Sequence, residues 1–193
     1  MNLTLTNLTK QYGSFTALQN FNYEFTAGVY GLLGLNGAGK STLMNIITDN
    51  LKPTSGSVRF DGEDITKMDA DFRKILGFMP QQQGIYPNFT LERFLYYMAA
   101  LKGMKKADAK PQIEKLINLV NLQDSRNKRL GGFSGGMKQR ALIAQAMLGE
   151  PKVIILDEPT AGLDPKERIR IRNLVAQIAF DKIVIIATHV VSD

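Results

Sequence analysis

The 193-residue chain has no cysteine, no tryptophan and one histidine. Without cysteine there is no disulfide framework and no thiolate metal site. No apolar run approaches the roughly 20 residues of a membrane-spanning helix. The opening Met1-Asn2-Leu3-Thr4 runs directly into strand-like alternation, with no signal-peptide pattern. Aromatics are sparse at 8%, and no basic run is interleaved with them in the manner of a single-strand nucleic-acid groove. Internal repeats, low-complexity tracts and extended linkers are missing too. What remains is an ordinary globular composition, 44% hydrophobic and 22% charged. The simplest expectation is one cytosolic domain, or one domain with an inserted lobe. The net charge of +6 is spread over clusters at residues 102–110, 126–129 and 166–172. These read as solvated helix faces, with attraction for nucleotides or an anionic membrane surface as a by-product.

One stretch organises the rest: Gly34-Leu35-Asn36-Gly37-Ala38-Gly39-Lys40-Ser41-Thr42. It fits G-x-x-x-x-G-K-[ST] between a short apolar run at residues 29–33, read as a buried strand, and a helical face at Leu43, Met44, Ile46 and Ile47. Glycines let successive backbone N–H groups converge on an anion, and the helix N-terminus adds its dipole. Lys40 is placed to reach outer phosphates and the Ser41 hydroxyl to ligate an accompanying Mg²⁺. Asn36 through Thr42 are therefore candidate phosphate contacts.

Ahead of this loop, Leu3, Leu5 and Leu8 suggest a first strand, and alternating Phe21, Tyr23 and Phe25 a second, with a turn at Gly13. Tyr12 either stacks on a base or packs as a strand-edge aromatic. After the loop, residues 57–60 read as a strand and Asp61-Gly62 as a tight hairpin turn. A strand within residues 72–79 ends at Pro80, followed by Gln81, Gln82 and Gln83 in a polar loop. The period then changes. Leu91, Phe94, Leu95 and Met98 fall on one helical face, as do Ile113, Leu116, Ile117 and Val120, with Pro111 expected in the first turn of the second helix. Ser134, at the head of a second glycine-rich stretch, is a natural N-cap for a helix through Leu142, Ile143, Ala146 and Met147.

Val153, Ile154, Ile155 and Leu156 form a continuous apolar run, typical of a parallel strand buried on both faces. It ends in Asp157-Glu158-Pro159. Consecutive strand residues point to opposite faces, so both carboxylates serve one site only at the strand's end, which Pro159 sets at Glu158. Asp157 suits Mg²⁺, and Glu158 suits a general base. Asp164-Pro165 reads as N-cap and first helical residue of a helix through Ile169, Ile171, Leu174 and Val175. His189 follows another apolar strand at residues 183–187, at the sheet edge where ligands bind in such folds.

Together these motifs resemble the nucleotide-binding domain of ATP-binding cassette (ABC) transporters, from Tyr12 to the last residue. Residues 34–42 look like Walker A and residues 153–158 like Walker B with its catalytic glutamate. Phe133-Ser134-Gly135-Gly136-Met137 is similar to the LSGGQ signature, with Phe and Met in place of Leu and Gln. Gln81 fits the Q-loop glutamine, Asp164 the D-loop, His189 the switch histidine and Tyr12 the A-loop aromatic. The resemblance implies an α/β fold: a P-loop NTPase core with a parallel sheet, an N-terminal antiparallel β subdomain and an inserted α-helical lobe. Residues 1–193 form one such domain, with core at 1–85 and 150–193 and lobe at 86–149, and the family pattern continues past Asp193.

The resemblance also implies ATP and Mg²⁺ as cofactors. Ser41, Gln81 and Asp157 would lie at the metal, and Glu158, His189 and Gln81 at the hydrolytic centre. Ser134, Gly135 and Gly136 would act on the ATP of a second cassette. The implied partners are that cassette and an integral membrane permease, with no nucleic acid. The implied location is cytoplasmic, on the inner face of the membrane. A soluble ABC ATPase of an assembly or nucleic-acid process is the alternative, and a small-molecule kinase a distant one.

Overall fold

The computed structural model describes residues 1–35, 37–81 and 84–189. Its elements begin with β1 (Leu3–Tyr12), β2 (Phe15–Phe25), β3 (Gly28–Leu33), α1 (Lys40–Ile47), β4 (Ser55–Phe60) and β5 (Glu63–Asp64). Then come α2 (Ile65–Met68), α3 (Ala70–Ile75), β6 (Leu76–Met79), α4 (Leu91–Leu101) and α5 (Lys106–Leu119). The chain continues through α6 (Gly135–Ala146), β7 (Val153–Asp157), α7 (Pro165–Ile178) and β8 (Ile183–Thr188).

The two strand patterns of the sequence build two different sheets. The alternating N-terminal strands form an antiparallel sheet in the order β2-β1-β4-β5, and the continuous apolar runs form a parallel sheet in the order β3-β8-β7-β6. In β1 the core-facing set shifts from Leu3 and Leu5 to Leu8, because Asn7 takes a left-handed φ of 49° and bulges the strand. The Asp61-Gly62 turn has φ of 48° and 87° and joins β4 to β5 in two residues, as its composition predicts.

The parallel sheet separates two apolar layers. Val153, Ile155, Ile183 and Ile185 face α1 and the antiparallel sheet, while Ile154, Leu156 and Val184 face α4–α7. Each residue of β7 from Val153 to Leu156 is fully buried, so both faces of that strand are used. Helices α4 to α7 share the second layer: Phe94, Ile113, Ile143 and Ile171, one from each, belong to one cluster with Ile154. At the C-terminal end of α6, Gly77 of β6 admits the helix closely. A Cβ there would meet the Ala146 carbonyl carbon at 3.1 Å and Pro151 Cγ at 3.2 Å.

Two sequence expectations about these elements are corrected. β3 is an edge strand whose second face is open, with Val29 48% and Leu33 56% exposed, so it is not buried on both sides. Pro111 sits inside α5, not in its first turn, because buried Ala109 extends the apolar face toward the N-terminus through an otherwise polar stretch. Proline there removes one intrahelical donor, which the sequence pattern discourages but packing overrides. The helix expected through Ile169, Ile171, Leu174 and Val175 is α7, with Ile169 on its exposed side and Ile171, Leu174, Val175 and Ile178 on its buried face.

Candidate active site

β3 delivers the glycine loop to the end of the parallel sheet, where it turns into α1. Gly39 is the N-cap of α1 at φ 86°, a conformation L side chains rarely adopt. A Cβ there would also stand 2.5 Å from the Ala17 carbonyl oxygen, so the loop tolerates only glycine at this point. Among the described residues no side chain caps α1. The Lys40 ammonium folds back to donate to the carbonyl of Gly34, and to that of Leu35 at 3.1 Å.

Asp157 is the last residue of β7, one earlier than the strand end expected from Pro159. Glu158 follows with a left-handed φ of 51°. Its N–H donates to the Ala187 carbonyl at 2.9 Å, which clamps the turn to the strand beside it. A non-glycine residue in this region costs about 1–3 kcal/mol. Breaking the strand's alternation here brings two successive carboxylates to one cleft. Glu158 is only 7% exposed. Its Oε1 lies 2.9 Å from Nδ1 of His189, while its Oε2 is buried without a hydrogen-bond partner among the described residues. Burial, then the neighbouring Glu158 charge, holds the Asp157 carboxyl above its ordinary range. The Gln81 backbone N–H and Lys40 pull it partly back.

These groups surround a cleft of about 400 Å³ lined by Tyr12, Phe15, Ala17, Leu35, residues 37–42, Gln81, Asp157 and Glu158. Of the residues singled out in the sequence, Tyr12, Gly37, Ala38, Gly39, Lys40, Ser41, Thr42, Gln81, Asp157 and Glu158 meet there, and His189 joins through Glu158. Asn36 lies outside the described residues. Phe15 is a lining residue that sequence reasoning missed. It pairs with Tyr12 across the hairpin, and both rings are half exposed, at 59% and 48%. The signal was the turn at Gly13, which makes the residues on either side cross-strand neighbours.

Ser134, Gly135, Gly136 and Asp164 do not line this cleft. Ser134 caps α6, its Oγ accepting from the Met137 N–H at 3.3 Å, as the sequence predicts. Asp164 caps α7 by accepting from the Glu167 N–H at 3.0 Å, with Pro165 at the first helical position, also as predicted. Met137 packs against the apolar layer shared by α4–α7.

The family model for ABC transporters matches residues 18–161. The chain belongs to the ABC transporter family. Tyr12, Asp164 and His189 stand outside the matched span. This ABC cassette is 36% identical to YxlF of Bacillus subtilis, an uncharacterised ABC transporter ATP-binding protein, over 99% of this chain and 63% of that one. It is 37% identical to BcrA of Bacillus licheniformis, a bacitracin transport ATP-binding protein, over 97% of this chain and 61% of that one. It therefore spans about three fifths of the length of these curated relatives. A bacterial ABC transporter cassette solved as a dimer superposes with a TM-score of 0.84 at 29% identity, covering 98% of this chain and 89% of that one. The fold is that of the family: a parallel-sheet P-loop core, an antiparallel sheet and a helical segment between β6 and β7.

Proposed function

We propose that this ABC cassette binds ATP with Mg²⁺ in the cleft, hydrolyses it between two cassettes, and drives a membrane permease. The observation that carries the reading is the convergence of the phosphate loop, Gln81, Asp157 and Glu158 on one cleft. In this reading Lys40 leaves the Gly34 and Leu35 carbonyls for the outer phosphates, and the N-terminus of α1 receives the inner ones. A water oxygen forms a bond to the γ-phosphorus as Glu158 takes its proton. The bond to the β,γ-bridging oxygen breaks, giving ADP and phosphate. His189, held to Glu158, orients that carboxylate and contacts the γ-phosphate.

Ser41, Gln81 and Asp157 supply hydroxyl, amide and carboxylate oxygens, a hard donor set that fits Mg²⁺ with its retained waters. The raised Asp157 carboxyl is a group whose ionised form a cation would favour. When bound, the cation neutralises charge on the phosphate oxygens.

Ser134, Gly135 and Gly136 stand apart from the cleft of their own chain, so in this reading they close on nucleotide held by a second cassette, identical or paralogous. The permease would dock on a cluster of aromatic side chains that follows Gln81 in the chain. Tyr86 stacks on Phe89 at 5.0 Å, Tyr97 meets both, and Arg93 lies over Phe89 at 4.3 Å. A backbone ribbon leads from this cluster toward Ser134: Leu130 N–H donates to Phe89 at 2.9 Å and Gly131 N–H to Pro87 at 3.0 Å. Among the described residues no helix is long and apolar enough to cross a membrane. Membrane attachment in this reading comes from the permease, with the cassette on its cytoplasmic side.

The test uses the full-length protein. Wild type should release phosphate from ATP. The Glu158→Gln protein should bind ATP and sediment as a dimer only with ATP and Mg²⁺, and solubilised membranes should yield a polytopic protein bound to it. A protein that binds ATP yet stays monomeric with cleavage blocked would defeat the reading.

A further inference from the structure

The two glycines after Ser134 are not sterically equivalent. A Cβ on Gly135 would stand 3.5 Å from Leu163 Cδ2, an ordinary contact. One on Gly136 would stand 2.8 Å from Cδ and 2.9 Å from Cγ of Glu167, and closer still to Oε2. Glu167 is no loose side-chain end that could swing away. Its Oε2 accepts from Arg140 Nη1 at 2.6 Å, and its Oε1 accepts from Arg170. Its own N–H is the donor that Asp164 caps. The Arg140 and Glu167 side chains are 12% and 17% exposed, so their pairing is largely shielded from water. Arg140 stands midway along α6 and Glu167 in the first turn of α7, so this one carboxylate ties the middle of α6 to the start of α7.

We propose that Glu167 is a positioning residue that locks Ser134, Gly135 and Gly136 to Asp164 as one rigid unit, and that Gly136 is glycine in order to admit it. The inference rests on the reading that the Ser134 stretch closes on the nucleotide of a second cassette. The physical demand is precision. Amide donors aimed at a developing charge lose their effect when displaced by about 1 Å, and a displacement of that size can cost about 10²-fold in rate. An N-terminus anchored only through the far end of its helix would tilt. Arg140 and Glu167 brace it within two turns of Ser134, against the same helix that Asp164 caps. On this account Gly136 is required within its own chain, whether or not a phosphate also approaches it.

The experiment compares wild type, Gly136→Ala, Glu167→Ala and the double variant in the full-length protein. Unfolding temperature, ATP affinity and turnover are measured for each. Gly136→Ala is expected to lower the unfolding temperature and slow turnover by about tenfold or more, with ATP affinity of the separate cassette unchanged. In the Glu167→Ala background the same substitution should cost less than about threefold, the non-additivity that marks two groups in contact. Glu167→Gln keeps the bulk at this point and should not rescue Gly136→Ala. Gly135→Ala should leave the unfolding temperature unmoved. If Gly136→Ala is insoluble, recovery of soluble protein in the double variant supports the proposal and continued insolubility overturns it. Equal penalties in both backgrounds would also overturn it, assigning the glycine to phosphate approach alone. Failure of wild type to hydrolyse ATP would defeat the parent reading, whereas the unfolding measurements judge the Glu167 contact independently.

Discussion

His189 Nδ1 lies 2.9 Å from Glu158 Oε1, joining residues that follow adjacent parallel strands. β7 and β8 pair in register from Val153↔Ile183 to Asp157↔Ala187, so the residues just beyond their ends are brought together by the sheet itself. If the pair acts as one device, its members fail together. Glu158→Gln should leave ATP binding intact and cut turnover by roughly 10²–10⁴. His189→Ala should also cut turnover, and the double variant should be little worse than the worse single. Phosphate release and fluorescent-nucleotide binding measure both quantities. Multiplying losses would mean that the two side chains act separately.

Tyr12 and Phe15 line the same cleft as these carboxylates, as a hairpin pair of half-exposed rings. A base stacked on an aromatic contributes about 1–3 kcal/mol, or roughly 5- to 150-fold in affinity. Tyr12→Ala should weaken ATP binding within that range, and Tyr12→Phe should restore it. Neither should alter competition by inorganic tripolyphosphate, which has no base. A loss of tripolyphosphate affinity would show that the substitution disturbs the phosphate loop instead. Phe15→Ala, measured alongside, tells which ring carries the stacking.

Asp157 supplies a pH test. Burial and the Glu158 charge raise its carboxyl above the ordinary 3.8, so the folded protein holds this proton to higher pH than the unfolded chain. Ionising it therefore costs stability. The nucleotide-free protein should lose stability as pH rises from the ordinary carboxyl value through the raised one, relative to Asp157→Asn, which keeps the shape without the charge. A divalent cation needs the ionised form, so the stabilisation by Mg²⁺ with ATP should grow over the same window and be much reduced in Asp157→Asn. Thermal melts across this acid range decide the point. Parallel curves for the two proteins would remove Asp157 from metal binding.

The contrast between these residues shows what a sequence can reveal. The phosphate loop, Asp157-Glu158, and the Ser134 and Asp164 caps were legible because each meets its demand within a few consecutive residues: a strand end, a turn, a helix N-terminus. The buried run at residues 153–156 was legible because continuous apolarity admits few alternatives. Contacts set by packing between distant segments were not legible. Glu167 filling the space beside Gly136, Ala146 against Gly77 and Arg140 against Glu167 leave no periodic trace. The open face of β3 escaped for a related reason. Residues 29–33 read as apolar whether or not anything covers them, and only the strand order reveals an edge. Pro111 misled because a local rule about proline was stronger in the sequence than the weak apolar signal of Ala109 ahead of it.

Lys102 offers a test of the joint between helices. It caps the C-terminal end of α4, and its Nζ donates to the Leu148 carbonyl at 2.7 Å, just past the end of α6. Gln112 of α5 accepts from the neighbouring Gly149 N–H at 3.0 Å, so three helices meet at this turn. Two helix C-termini favour a cation there, yet burial outweighs them and pushes the ammonium down to about 8 from an ordinary 10.5. Below the lower value the side chain is charged in both states, and the folded protein bears the full cost of burying it. Between the two values the folded protein has released the proton and the unfolded chain has not, so stability rises with pH by up to about 1.4 kcal/mol per unit. The neutral amine still donates to Leu148, so the contact survives the change. Lys102→Met removes the titrating group while keeping most of the chain length. Wild-type urea midpoints should therefore climb relative to those of Lys102→Met as pH rises above about 8. A constant difference across that window would mean that the amine reaches water and that the joint is held by Gln112 and apolar packing alone.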